Sequence, residues 1–187
     1  MLRFSTMIGL PVISVQSGEK IAIVKDIIFD TQIKKILALA VHCKKVIFNH
    51  RIILMENIIN IGTSAVLIKN SDGLISYDVL SQSRFKNAKK YMEEFIGTPV
   101  YSNNGMNIGD IQDISFDWEI GSLEELQVSD GIVQDIIEGL KIIPVAESIQ
   151  LEQGIVMIDQ QNINDLKYSG KGIKRLLAKG SKDDERK

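Results

Sequence analysis

An internal repeat constrains this chain more than any other feature of its sequence. Residues 8–12 read Ile-Gly-Leu-Pro-Val, residues 96–100 read Ile-Gly-Thr-Pro-Val, and further matches follow along both segments. The glycines, prolines and aspartates that recur are Gly9, Pro11, Gly18, Asp26 and Asp30 in the first copy, and Gly97, Pro99, Gly105, Asp113 and Asp117 in the second. We interpret these positions as the structural signature of one module that occurs twice, at about residues 8–70 and 96–160.

Each copy has the pattern of a small β-rich module. Pro-Val opens a strand, Gly18 or Gly105 supplies the positive φ of a turn, and a second strand returns. Neither face of the returning strand is purely polar, which suits strands that curl into a barrel. Further short strands are predicted after it, including strand structure over residues 133–143. Because closure removes exposed strand edges, we predict a small, partly open β-barrel in each copy.

The residues between the two copies have a different period. Apolar residues from Tyr77 to Phe95 recur at spacings of three and four, which predicts one amphipathic helix. The predicted fold class is therefore mainly β, with two partly open barrels in tandem joined by this helix. The predicted domains are a first barrel at residues 1–75, the helix at 76–95, a second barrel at 96–161 and a basic, partly disordered tail at 162–187.

Several motifs of the second copy resemble those of the PRC-barrel family. They are Gly-Thr-Pro-Val at residues 97–100, Gly105, Ile-Gly-Asp-Ile-Gln-Asp at residues 108–113, and Phe-Asp at residues 116–117. In the first copy Ala22 stands where the second has Gly109, so that match is looser. The whole chain resembles bacterial proteins built from two PRC-barrels. This resemblance implies partly open barrels that bind other macromolecules, and it supplies no catalytic residues.

The sequence contains little that indicates catalysis. His42 and Cys43 are adjacent in a predicted strand and so point to opposite faces, and His50 lies beyond a predicted turn, which does not favour a zinc site. No recognisable nucleophile motif and no phosphate-binding loop is present. We therefore expect a protein that is not an enzyme and has no cofactor or bound metal.

Paired aspartates recur in both copies, Asp26 with Asp30 and Asp113 with Asp117. Two carboxylates are able to bind a hard cation or to act as acid and base. Aspartates at strand ends also accept hydrogen bonds from turn amides, which explains their presence in both copies without any ligand. We favour this structural interpretation.

Three features indicate a cytoplasmic protein. The single cysteine excludes an intramolecular disulfide and suits a reducing compartment. The N-terminal residues lack the basic, apolar and cleavage regions of a signal peptide. No apolar run approaches the roughly 20 residues of a membrane-spanning helix, so no transmembrane segment is expected.

Charge separates the two copies. Residues 96–161 contain twelve acidic residues and one basic residue, Lys141, whereas residues 8–70 contain eight basic and four acidic residues. Residues 162–187 contain eight basic and four acidic residues. Segregated charge of this kind favours binding to another protein, or to a second copy of the same chain as a homo-oligomer.

These features lead to three hypotheses of function. The first is a non-catalytic adaptor or assembly protein that binds a protein partner through its two modules. The second is an RNA- or ribosome-associated maturation factor that acts through the basic first barrel and tail, although these lack interleaved aromatic residues to stack on bases. The third is a small-ligand or metal-binding protein. We favour the adaptor, because duplication and charge segregation occur without a catalytic constellation.

Overall fold

The computed structural model describes residues 1–43, 50–82, 85–146, 149–152, 154–159, 163 and 166–169, and the structural statements below concern these residues. They form two compact units. The first unit contains Met1–Phe95 and Ser115–Leu123, and the second contains Ile96–Ile114 and the chain from Glu124 onward. A segment of the second copy therefore belongs to the first unit.

Short strands dominate both copies. The strands up to Ser76 are β1 (Leu2–Arg3), β2 (Pro11–Ser14), β3 (Lys20–Asp30), β4 (Lys35–His42), β5 (His50–Leu54), β6 (Ile58–Ile61), β7 (Val66–Ile68) and β8 (Ile75–Ser76). The later strands are β9 (Ala88–Lys90), β10 (Pro99–Ser102), β11 (Asn107–Phe116), β12 (Leu123–Ser129), β13 (Lys141–Pro144), β14 (Gln150–Glu152), β15 (Ile155–Ile158) and β16 (Lys167–Tyr168). The α-helices are α1 (Phe4–Met7) and α2 (Ile132–Glu138), and 3₁₀-helices cover Met55–Asn57, Ser71–Gly73 and Tyr77–Ser81.

The same strand order occurs twice. One sheet runs β6-β7-β2-β3-β4-β5-β8, and the other runs β14-β15-β10-β11-β12-β13-β16. Each sheet contains a parallel pair at the same place in this order: β7 with β2 in the first sheet, and β15 with β10 in the second. One of the two sheets is a half-barrel. The prediction of a mainly β chain with two small barrel-like modules in tandem is confirmed.

The segment between the copies differs from the single amphipathic helix that its period predicted. It contains the 3₁₀-helix Tyr77–Ser81, then β9, then a π-helix over Tyr91–Phe95. A short helix between the copies is thus confirmed, but the prediction of one continuous helix over residues 76–95 is wrong.

The length of β3 explains this difference. β2 pairs with β3 only over Lys20–Ile23, so the main-chain groups farther along the same edge need another partner. Ala88–Lys90 provide it by pairing with Ile28–Asp30. Tyr77, in the preceding 3₁₀-helix, packs against the buried cluster that includes Ile52. The apolar spacing therefore reflects separate short pieces that each pack on the sheet.

Within the first unit, the starts of the two copies pair reciprocally with the long strands. The paired positions are Leu2 with Phe116, Arg3 with Ser115, Lys89 with Phe29 and Lys90 with Ile28. The hairpin tips are joined by a bridge between Lys35 and Ser122. The start of each copy thus pairs with the long strand of the other copy, at equivalent positions. A symmetric interface between two identical subunits has the same pattern.

An aromatic cluster lies in the core of the first unit. Phe4 lies edge-on to Phe29, Tyr91 and Phe116, with ring centroids 5.8, 5.2 and 5.2 Å away, and Phe95 packs on Phe29 at 5.0 Å. All five rings are buried. α1 has four residues and the π-helix has five, so one extra residue in the second copy accounts for the wider helical turn.

Candidate functional site

The residues of the repeat signature lie mainly at turns and strand starts. Positive φ angles occur at Gly9, Gly18, Gly97 and Gly105, and β2 and β10 begin at Pro11 and Pro99. Asp30 and Asp117 each accept hydrogen bonds at Oδ1 from the amides two and three residues later. The distances are 2.8 and 3.0 Å for Asp30, and 2.8 and 3.4 Å for Asp117. That the signature positions serve the fold and bind no ligand stays a prediction.

Asp26 and Asp113 are buried inside long strands. Asp26 Oδ1 accepts hydrogen bonds from the amides of Ile27 (2.7 Å) and Met92 (2.9 Å), the second of which lies in the π-helix. The interpretation of Asp26 as a strand-end residue that binds turn amides is therefore wrong. Asp113 Oδ1 accepts a hydrogen bond from the amide of Ile114 at 2.8 Å.

The second carboxylate oxygen of Asp26 makes no hydrogen bond to the part of the chain that the structure describes. Burial raises the pKa of this carboxyl group, and the hydrogen bonds from the amides of Met92 and Ile27 oppose the rise. The Asp26–Met92 contact joins residues far apart in the sequence, and no local motif indicates it. Its role here is to hold the start of the π-helix against β3.

Cys43 is buried at the end of β4, and His42 beside it is half-buried. Burial raises the pKa of the Cys43 thiol, while the charge of Arg51 acts in the opposite direction. A raised pKa keeps the thiol protonated, which is the reverse of an activated nucleophile. Among the described residues, no group of three His, Cys, Asp or Glu side chains is arranged to hold a metal.

A cleft of about 690 Å³ lies beside the Gly18 turn in the first unit. Cys43 and Ser14 contribute to its lining, together with the charged residues Glu19, Lys20 and Asp72. Both signs of charge are present in this lining, which includes Cys43 and does not include Asp26.

The most distinctive surface belongs to the second unit. Helix α2 carries Ile132, Val133 and Ile136, whose exposed fractions are 79, 72 and 53%. We call these three side chains the α2 surface. Large apolar side chains that are adjacent and exposed are typical of sites that bind another protein. The sequence predicted a strand over residues 133–143, and this is wrong for the first half, because the strand β13 begins only at Lys141.

Glycines and polar contacts define the ends of α2. Gly131 and Gly139 flank the helix with φ values of +120° and +89°, a region that favours glycine. Asp135 receives a hydrogen bond from the Ser129 hydroxyl, and its amide donates to the carbonyl oxygen of Gly131 at 3.0 Å. These contacts tie the helix to the end of the preceding strand, β12.

Acidic side chains lie beside the α2 surface. A groove of about 520 Å³ adjoins it, with Ile132, Asp110 and Asp130 among its lining residues. Lys141 forms an ion pair with Asp130, and its ammonium group also donates to the carbonyl oxygen of Ile108 at 2.8 Å. The single basic residue of this copy is therefore engaged within the copy. The charge count of the sequence anticipated an acidic module, but the exposed helix was not anticipated.

These observations define a class of protein: a chain of two repeated barrel-like modules that presents an exposed apolar helix. The PRC-barrel domain matches residues 1–75 and again residues 89–162, and the chain belongs to the PRC-barrel family. The PRC-barrel is a general protein-interaction module, and the family is generally non-catalytic. A search of curated proteins finds no match. Among the described residues, no helix is both long enough and apolar enough to cross a bilayer.

Proposed function

We propose that this protein is a non-catalytic adaptor that binds a protein partner through the α2 surface. One observation carries the proposal: Ile132, Val133 and Ile136 are exposed together on a helix of a domain whose family is a protein-interaction module. Burying three such side chains against a partner contributes about 1.5–3 kcal/mol each when burial is complete.

The charge around α2 specifies what kind of partner fits. Asp110, Asp130, Asp135 and Glu138 lie on α2 or beside it, against the single basic residue Lys141. A complementary partner presents apolar side chains flanked by Lys or Arg. The same acidic surroundings repel phosphate, so they favour a protein over RNA at this surface.

Affinity capture from the native host with matched variants tests the proposal. The test variant Ile132→Ser/Val133→Ser removes two exposed side chains and should not disturb the core. The control variant Ile33→Ser/Ile120→Ser removes two isoleucines of similar exposure, 60 and 64%, from the hairpin tips. We expect a host protein that wild type and control retain and that the α2 variant loses by more than about tenfold, which corresponds to about 1.4 kcal/mol.

Three outcomes contradict the proposal. Capture of the same proteins by wild type and the α2 variant shows that the site lies elsewhere. Selective loss with the control variant assigns binding to the hairpin tips. Recovery of RNA at low salt, without a protein that depends on α2, supports the RNA-associated hypothesis instead.

A further inference from the structure

We infer that residues 170–187, the C-terminal segment of this chain, dock on the α2 surface and compete with the partner for it. The docking does not depend on the adaptor function, whereas the competition rests on the proposed function. Four features of the described residues and of the sequence carry this inference: the exit point of the chain, its reach, its apolar residues and its charge.

The described chain leaves the second sheet beside the end of α2. The Ser169 amide donates to the carbonyl oxygen of Leu140 at 2.8 Å, and the Ser169 hydroxyl oxygen accepts from the Leu140 amide at 2.9 Å. Gly139, the residue that follows α2, approaches Ser169 so closely that a Cβ there would lie 2.3 Å from the Ser169 carbonyl oxygen. The segment after Ser169 therefore starts next to the helix.

The segment is long enough to reach all of the α2 surface. Helix α2 has seven residues, so it is about 10 Å long at 1.5 Å per residue. An extended chain spans about 3.3–3.6 Å per residue. Residues 170–172, Gly-Lys-Gly, can therefore cover about 10 Å, and the apolar residues begin immediately after them at Ile173.

The chemistry of the segment complements that of the surface. Ile173, Leu176 and Leu177 provide three apolar side chains, and residues 170–187 carry seven basic and three acidic residues. The α2 surface provides three exposed apolar side chains, with Asp135 and Glu138 on the same helix and Asp130, which is paired with Lys141, beside it. Pairing two α2 surfaces from two copies of the chain would instead bring like charges together, which opposes association.

Attachment makes even a weak contact effective. A short tether gives an effective concentration of the order of 1 mM. A contact with a Kd of about 0.1 mM for the free peptide would then leave about one surface in ten uncovered. We therefore expect the amides of residues 132–138 to exchange hydrogen about tenfold more slowly when the segment can dock.

Hydrogen exchange on the full-length protein tests the docking. Wild type is compared with Ile173→Ser/Leu176→Ser/Leu177→Ser, which keeps every charge and changes only the apolar residues of the segment. The expected result is exchange about tenfold faster over residues 132–138 in the variant, with no change in the turn at residues 103–106. A carbodiimide cross-link between a lysine of the segment and Asp130, Asp135 or Glu138, which weakens in the same variant, is the expected second result.

Equal exchange over residues 132–138 in the two proteins, with no such cross-link, overturns the inference. Protection that increases with protein concentration also overturns it, because it shows that the cover comes from a second copy. The adaptor proposal is judged separately by partner capture with the α2 variant. If docking occurs, the Ile173→Ser/Leu176→Ser/Leu177→Ser protein should capture several-fold more partner than wild type.

Discussion

Replacing Phe4 with alanine should destabilise the first unit strongly. The Phe4 ring is fully buried and makes edge contacts with Phe29, Tyr91 and Phe116. Truncation of a buried phenylalanine to alanine costs about 3–5 kcal/mol, and aromatic pairs add about 0.5–1.5 kcal/mol each beyond the buried area. We therefore expect the free energy of unfolding of this unit to fall by about 4–5 kcal/mol, near the upper end of the range.

The only tryptophan of the chain makes this change measurable. Trp118 follows Asp117 at the tip of the hairpin that the second copy contributes to the first unit. Its fluorescence during urea titration reports on that unit. With a urea dependence of about 2 kcal/mol per molar, Phe4→Ala should move the Trp118 midpoint down by about 2–2.5 M. Phe4→Leu fills most of the space but loses the three ring contacts, so it should cost at least about 1.5 kcal/mol and clearly less than Phe4→Ala.

A loss of less than about 1 kcal/mol in the free energy of unfolding of Phe4→Ala, measured by Trp118 in a protein that is folded at the start of the titration, would contradict this expectation. That result would mean that the aromatic cluster does not join the residues of the two copies. A midpoint equally low for Phe4→Leu would also contradict it, because the loss would then depend on ring contacts alone and not on the cavity.

Two further substitutions test the second unit and the buried carboxylate. Gly109→Ala would place a Cβ 2.1 Å from the Ser129 carbonyl oxygen at a φ of +133°, so we expect a loss of about 3 kcal/mol or more in thermal unfolding followed by circular dichroism. The matched change Ala22→Gly at the equivalent strand position should cost about 1 kcal/mol or less, and equal losses would contradict the argument. Asp26→Asn should be compared with wild type in urea from pH 4 to pH 8. Because burial raises the pKa of Asp26 in the folded state, wild type should lose stability relative to the variant as pH rises from the ordinary value, about 4, through the folded value. A difference that does not vary with pH would show that Asp26 titrates as in the unfolded chain.

The predictability of the candidate site differs from residue to residue. The acidic character around α2 can be predicted by counting charges, because residues 96–161 contain twelve acidic residues and one lysine. The helix itself did not follow, because Ile132, Val133, Ile136 and Ile137 have β-branched side chains that are typical of strands. Gly131 and Gly139 bound the helix, but glycines also flank strands. Whether these apolar side chains are exposed depends on how distant parts of the chain pack, and the local sequence does not specify that.

The fold was predictable where its signals are local and repeated. Gly18 and Gly105 need positive φ, Pro11 opens a strand, and Asp30 binds the amides of the next turn; each requirement is met by neighbouring residues. Because these requirements occur twice at constant spacing, the sequence by itself determined a duplicated β module and two oppositely charged copies.

Tertiary structure decided which distant segments complete each module. A strand edge such as that of Ile28–Asp30 has unpaired main-chain groups that any extended segment can satisfy, and nothing in its own sequence specifies Ala88–Lys90 as the partner. The same holds for Leu2 with Phe116. Side-chain periodicity reports only which face is buried. Main-chain pairing and aromatic packing between distant residues therefore divided the predicted helix into short pieces and placed a hairpin of the second copy in the first unit.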